Sequence, residues 1–284
     1  MPTFPTPEPI TVSLELGVAD IRLMAGDRAD TVVDVQPSDP AKPSDVVAAE
    51  QAHVDFADGV LHVKAAKGWR RYSFRGGGES IEVRIELPTG SHLRGEAGVA
   101  GLRAGGTLGD VRYRTGAGDI ALEHVGGSVD LTTGTGAVRI DRIDGPATIR
   151  NSNGDTWVGE VGGDCQVKAA NGTIAVDEAH AAVTAKTANG DVQLGGVARG
   201  VVVAETACGK VDVAVRAGVA AWLDLHTGFG HVHNLLDTGE PPAPSEDTVE
   251  VRARSSFSDI TVRRAEIGDS GDVAASRPPR SALH

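Results

Sequence analysis

Apolar and polar residues alternate along most of this chain, and the alternation returns at a fixed interval. Written in rows of eighteen, one pair of columns holds Ile120/Leu122, Val138/Ile140, Thr156/Val158, Ile174/Val176, Val192/Leu194 and Val211/Val213. A second pair holds Val129/Leu131, Ala147/Ile149, Cys165/Val167, Val183/Ala185 and Val201/Val203. Between them stands one apolar column: Val125, Ile143, Val161, Ala179 and Val197. Apolar partners two apart lie on one face of a strand, whereas a helix face needs spacings of three or four. Each row therefore predicts two short, half-buried strands.

The corners are equally regular. Thr115-Gly-Ala-Gly-Asp-Ile, Thr133-Gly-Thr-Gly-Ala-Val, Asn151-Ser-Asn-Gly-Asp-Thr, Ala169-Ala-Asn-Gly-Thr-Ile and Thr187-Ala-Asn-Gly-Asp-Val follow one another at eighteen residues. Looser copies begin at Thr206, Thr227 and Ser255. A period near twenty marks a repeat architecture. Asn-Gly at a fixed period, with two strands between occurrences, reads as the corner of a coil rather than a hairpin. Stacked rows bury a continuous core that one row cannot. Asp119, Asp155 and Asp191 alternate with Ala137, Thr173 and Lys210 in the outward column after the turn glycine. Like charges on adjacent strands repel, and alternation separates them. Asn153, Asn171 and Asn189 stack in one column and can form an amide ladder.

The predicted fold is all-β: a parallel β-solenoid of about 18 residues per coil, two short strands per coil, with a β-rich N-terminal capping region. Residues 1–9 form a Pro-rich leader expected to be disordered, 10–92 the capping part, 93–264 the solenoid repeats, and 265–284 a disordered tail. Within 10–92, Thr11–Leu16, Asp20–Leu23, Thr31–Val35 and Ile81–Leu87 read as strands, and Asp58-Gly59 as the turn of a hairpin. Residues 36–51 read as a loop or one helical turn.

The net charge of −12 argues against a nucleic-acid partner. No apolar run is long enough for a membrane-spanning helix, and the N-terminal residues do not resemble a secretory signal, so a cytoplasmic location is expected. Cys165 and Cys208 lie more than two rows apart and are not expected to bridge.

The Thr-Gly-x-Gly-Asp-Ile/Val phrase, preceded by a strand of the type Ile81–Leu87 and a Pro-Thr-Gly turn, resembles the bacterial putative-adhesin family of unknown function, described as β-strand-repeat proteins. The likeness covers roughly residues 10–264. It implies a solenoid-like fold and carries no catalytic residues.

Candidate chemistry is sparse. Calcium-binding rolls need an oxygen cage that these rows lack, and hexapeptide acyltransferases need an aliphatic residue at every sixth position. His226, His231 and His233 could bring three imidazoles to a metal, but no Cys or carboxylate partner is evident, and solvated strand residues are the favoured reading. Trp69, Arg70, Arg71, Tyr72 and Arg75 form a basic-aromatic stretch of the kind that anchors partners. Trp157 faces outward by row parity and marks a possible binding face. No cofactor is implied. The expected function is a non-catalytic interaction scaffold with a protein or glycan partner. The alternative is a carbohydrate-acting β-helix enzyme using the Asp119, Asp155 and Asp191 column.

Overall fold

The structure is a computed structural model and describes residues 1–65, 79–236 and 248–265. The chain divides into two compact units, Met1–Gly136 and Ala137–His284. Both are built from parallel strands stacked in register at the period of the sequence, so the fold is the predicted all-β parallel solenoid.

The first unit contains β1 (Thr3–Pro5), β2 (Thr11–Gly26), β3 (Asp30–Pro37), α1 (Pro43–Glu50), β4 (His53–Ala57), β5 (Val60–Lys64), β6 (Ile81–Pro88), β7 (His92–Leu108), β8 (Val111–Ala117), β9 (Ile120–Val125) and β10 (Val129–Thr135). The two strands expected at 11–16 and 20–23 are one continuous strand, β2. It is itself a rung, pairing in parallel along β7 from Thr11↔His92 to Met24↔Gly105. On its other edge it pairs with β5 and β6. The first true rung therefore begins at residue 11, well before 93. The antiparallel strands β3 and β4 then cover β6 and β5. Such antiparallel cover protects an edge that would otherwise invite pairing. The β4–β5 hairpin turns at Asp58 and Gly59, both with positive φ, as a two-residue hairpin of this hand requires.

The leader is ordered where the sequence predicts disorder. β1 pairs antiparallel with β3, Thr3 opposite Val32. Thr6 and Thr31, both buried, share a hydroxyl hydrogen bond of 2.7 Å. Pro5, the one leader proline within β1, sits on an edge strand, where a missing N–H costs little. Residues 43–50 form α1. Its Asp45 is buried, accepts the Ser80 N–H at 3.2 Å and pairs with Lys42 Nζ at 2.9 Å.

The second unit contains β11 (Val138–Ile143), β12 (Ala147–Asn153), β13 (Thr156–Val161), β14 (Cys165–Asn171), β15 (Ile174–Ala179), β16 (Val183–Asn189), β17 (Val192–Val197), β18 (Gly200–Cys208), β19 (Val211–Val215), β20 (Ala220–Thr227), β21 (Val232–Asn234), β22 (Thr248–Ser255) and β23 (Ile260–Arg264). Equivalent side chains stack as predicted: Ile174↔Val192, Val192↔Val211 and Val211↔Ile260, each at most 1% exposed. The 19-residue row departs by one position. Val183 and Ala185 stand beside Val202 and Ala204, not Val201 and Val203, and Val201 is exposed. The extra residue is absorbed before β18 reaches its buried positions.

The last rungs are not in chain order. β22 pairs with β18 on one side and β20 on the other; β23 likewise lies between β19 and β21. The chain lays down the rung of residues 220–234 one level too far, then returns to fill the gap with residues 248–264.

The corner explains the repeated phrase. Gly172 and Gly190 have φ of +131° and +146°, and a Cβ on either would collide with the glycine carbonyl of the preceding rung. Glycine is the residue that tolerates both demands. The Thr that opens most rows points inward and satisfies the turn carbonyls: Thr187 Oγ1 donates to Gly172 O at 3.2 Å, Thr206 Oγ1 to Gly190 O at 2.9 Å. Buried polar groups need such partners.

Candidate functional site

Two acids of the turn column, Asp155 and Asp191, hold adjoining rungs together. Asp155 Oδ1 accepts the Thr173 N–H at 2.8 Å, and Asp191 Oδ1 the Lys210 N–H at 2.7 Å. Asp110 does the same for Ser128 at 2.8 Å, and Asp259 for His231 at 2.8 Å. At these corners a backbone donor of one rung meets a carboxylate of the next in place of a strand carbonyl. The Ser128 N–H holds the Asp110 carboxyl below its usual range, and the His231 N–H does the same for Asp259. Alternation thus has a second reason beyond repulsion, since Asp155 and Asp191 each cap a neighbouring row that carries no acid of its own.

Trp157 is outward by parity but is not an exposed binding face. Its side chain is covered, leaving the residue 6% exposed. The Arg139 guanidinium carbon lies 3.9 Å from the ring centroid, and the indole Nε1 donates to Asp177 Oδ1 at 3.1 Å. Gly159 leaves the space the ring occupies, since a Cβ there would stand 3.0 Å from it. Outward neighbours on adjacent rungs lie about 5 Å apart and can roof one another, which parity along one strand does not reveal.

His226, His231 and His233 do not assemble a metal centre among the described residues. His231 and His233 rings stand 6.1 Å apart, and His231 Nδ1 lies 3.7 Å from Asp259. That carboxylate is already engaged by the His231 backbone. Trp69, Arg70, Arg71, Tyr72 and Arg75 lie outside the described residues.

What the sequence reading passed over is the rung of β20 and β21. Trp222 is 70% exposed, Phe229 75% and Phe257 61%. Phe229 and Phe257 stack nearly parallel, centroids 5.5 Å apart with 5° between planes. By register they continue the outward corner column in which Asn171 donates to Asn153 at 2.8 Å and Asn189 to Asn171 at 2.9 Å. The amide ladder of one rung set becomes an aromatic stack at the last. Exposed aromatics on a rigid strand frame are what interaction surfaces use. The signal in the sequence is the concentration of Trp222, Phe229 and Phe257 in a chain only 4% aromatic.

The family model described as Toastrack DUF4097 matches residues 10–221. The chain belongs to that family. The Toastrack match includes the capped first unit and the regular rungs, and it stops where β20 begins. Most of the aromatic rung, and β22 and β23, lie beyond it. Among solved structures, a putative adhesin from Bacteroides fragilis NCTC 9343 is 13% identical, covering 92% of this chain and 95% of its own, with a TM-score of 0.44. A putative lipid binding protein from Parabacteroides distasonis ATCC 8503 is 10% identical, with coverages of 93% and 96% and a TM-score of 0.42. A putative adhesin from Parabacteroides merdae ATCC 43184 is 11% identical, with coverages of 93% and 95% and a TM-score of 0.37. No curated protein matches this Toastrack chain.

Proposed function

We propose that this Toastrack chain is a non-catalytic interaction scaffold that presents side chains to a protein or glycan partner on a rigid stack of rungs. The observation that carries the reading is the use of the turn-column acids. Asp155 and Asp191 each spend an oxygen on a backbone N–H of the adjoining rung. A glycosidase needs one carboxyl free to give a proton and another free to attack or activate water. Carboxylates engaged as structural acceptors are poorly placed for either task. Trp222 and the Phe229–Phe257 stack supply contact area of the kind partners use.

The cytoplasm is part of the same proposal. Cys165 and Cys208 are both free, as suits a reducing compartment. Cell fractionation tests the location. A glycan-binding and hydrolysis screen tests the scaffold against the enzyme: binding without turnover is expected, and turnover abolished by Asp155→Asn would overturn the proposal.

A further inference from the structure

We propose that the free edge of β20 pairs antiparallel with the same edge of a second copy of this chain, about a two-fold axis at Leu223. β20 pairs with β22 on one side, and among the described residues no strand pairs with its other side. A free edge carries a row of backbone donors and acceptors ready to accept another strand. Beneath β20 the core is complete: Val249, Val251 and Ala253 are at most 1% exposed. Their partners Ala221, Leu223 and Leu225 continue those columns but are only half-buried. Among the described residues the hydrophobic columns stop there without cover.

Exposed edges are ordinarily defended by charge, proline or a bulge. This one is not. From Ala217 to Leu236 there is no lysine, arginine, glutamate or proline; the ionisable residues are Asp224 and the histidines His226, His231 and His233. The pairing of β20 with β22 runs without a register shift. The adjacent inner strand, β22, carries Glu250, Arg252 and Arg254.

The two segments outside the described residues that follow β21 and β23 are poor occupants. Residues 237–247 include Pro241, Pro242 and Pro244; residues 266–284 include Pro278 and Pro279 and show no alternating apolar pattern. Proline has no N–H to give to a ladder. A second copy of β20, by contrast, is self-complementary. Centred on Leu223, the pairing sets Leu223 against Leu223, Ala221 against Leu225, and Trp222 against Asp224, and it engages residues 220–226. Centred on Asp224, it would set two carboxylates face to face, which is destabilising. Centred on Trp222 or on Leu225, it would engage only residues 220–224 or 223–227. Charge and overlap thus select one register.

Sedimentation equilibrium of the full chain tests the proposal. The expected result is a mass approaching twice 29.2 kDa as concentration rises, lost in a Trp222→Lys/Leu223→Lys variant that keeps its circular dichroism. Because that variant could fail to fold, Leu223→Cys in a Cys208→Ser background gives an independent measure. Residues directly opposed in an antiparallel pair have Cα atoms about 4.5–5.5 Å apart, within disulfide reach. Leu223→Cys should cross-link to itself on oxidation, and Trp222→Cys, which opposes Asp224, should not. Hydrogen exchange adds the last arm, with β20 amides protected at high concentration and released on dilution. A monomer at every concentration overturns the proposal. So does a dimer that survives the lysine pair without cross-linking at Leu223. So, too, does protection of β20 in a monomer, which would assign the edge to another segment of the chain.

Discussion

The Asn171 side-chain amide donates to the Asn153 carbonyl oxygen at 2.8 Å, one turn of the coil away and in the same place on its rung. It also accepts from Asn189 at 2.9 Å. Asn171 is thus donor to one neighbour and acceptor from the other, a double role that a carboxylate cannot fill. Asn171→Asp sets a carboxylate against the Asn153 oxygen and should cost about 1 kcal/mol near neutral pH. The loss should shrink in acid, where the protonated Asp regains a donor. Urea unfolding of both proteins across pH measures this, and a pH-independent difference would refute the ladder account.

Row parity predicts opposite outcomes for adjacent residues. Val192 is fully buried between Ile174 and Val211, whereas Gln193 is outward beside Asp212. Val192→Lys buries an unpaired cation and should cost several kcal/mol, on the order of 3–5, enough to unfold a marginal domain. Gln193→Lys should stay within about 0.5 kcal/mol of the parent. Chemical denaturation compares the two.

Trp157 and Trp222 should differ in emission. The former is roofed by Arg139 and bonded to Asp177, the latter mostly in water. Acrylamide should quench the signal lost in Trp222→Phe far more than the signal lost in Trp157→Phe. Trp157→Ala should destabilise by about 3 kcal/mol through the cavity it leaves, while Trp222→Ala should barely change stability. Fluorescence and thermal melts report both.

Acid should weaken the corners. The folded-state pKa values of Asp110 and Asp259 are lowered by backbone donors. A carboxyl whose pKa is lower folded than unfolded contributes stability above its ordinary range and loses it as pH falls through the folded value. Stability should therefore decline on the acid side of the carboxylate range. Asp110→Asn keeps an acceptor for Ser128 without a titrating group, so its decline should be shallower. Thermal melts between pH 2 and 7 would show it.

The two cysteines should react unequally. Burial pushes the Cys165 thiol up to about 12, while Cys208 is exposed. Near pH 8 a thiol reagent should label one cysteine in the native protein and both after denaturation. Rapid native labelling of both would contradict the inward placement of Cys165.

Most of the fold is legible without coordinates, because stacking makes each row repeat the same local demands. Val192, Gly190 and Asn189 recur in type at eighteen residues, and the structure places each directly against its predicted neighbour. The site is less legible. Trp157 looks exposed along its own strand but is closed over by Arg139 and Asp177, which belong to the flanking rungs. Alternation along a strand states which face a side chain takes and says nothing of what the adjoining rung lays across it.

The period, the strand faces and the corner glycines were determined by the sequence alone, since each reflects a local conformational or burial requirement repeated in register. The order of the final rungs was decided only in three dimensions. Thr227 stands beside Ser255, and Ser255 beside Thr206, so the row that comes last in the chain lies inside the row before it. Both rows offer the same alternating face to the stack. Which one is buried depends on how connecting segments carry the chain from level to level, a long-range choice that no local pattern encodes.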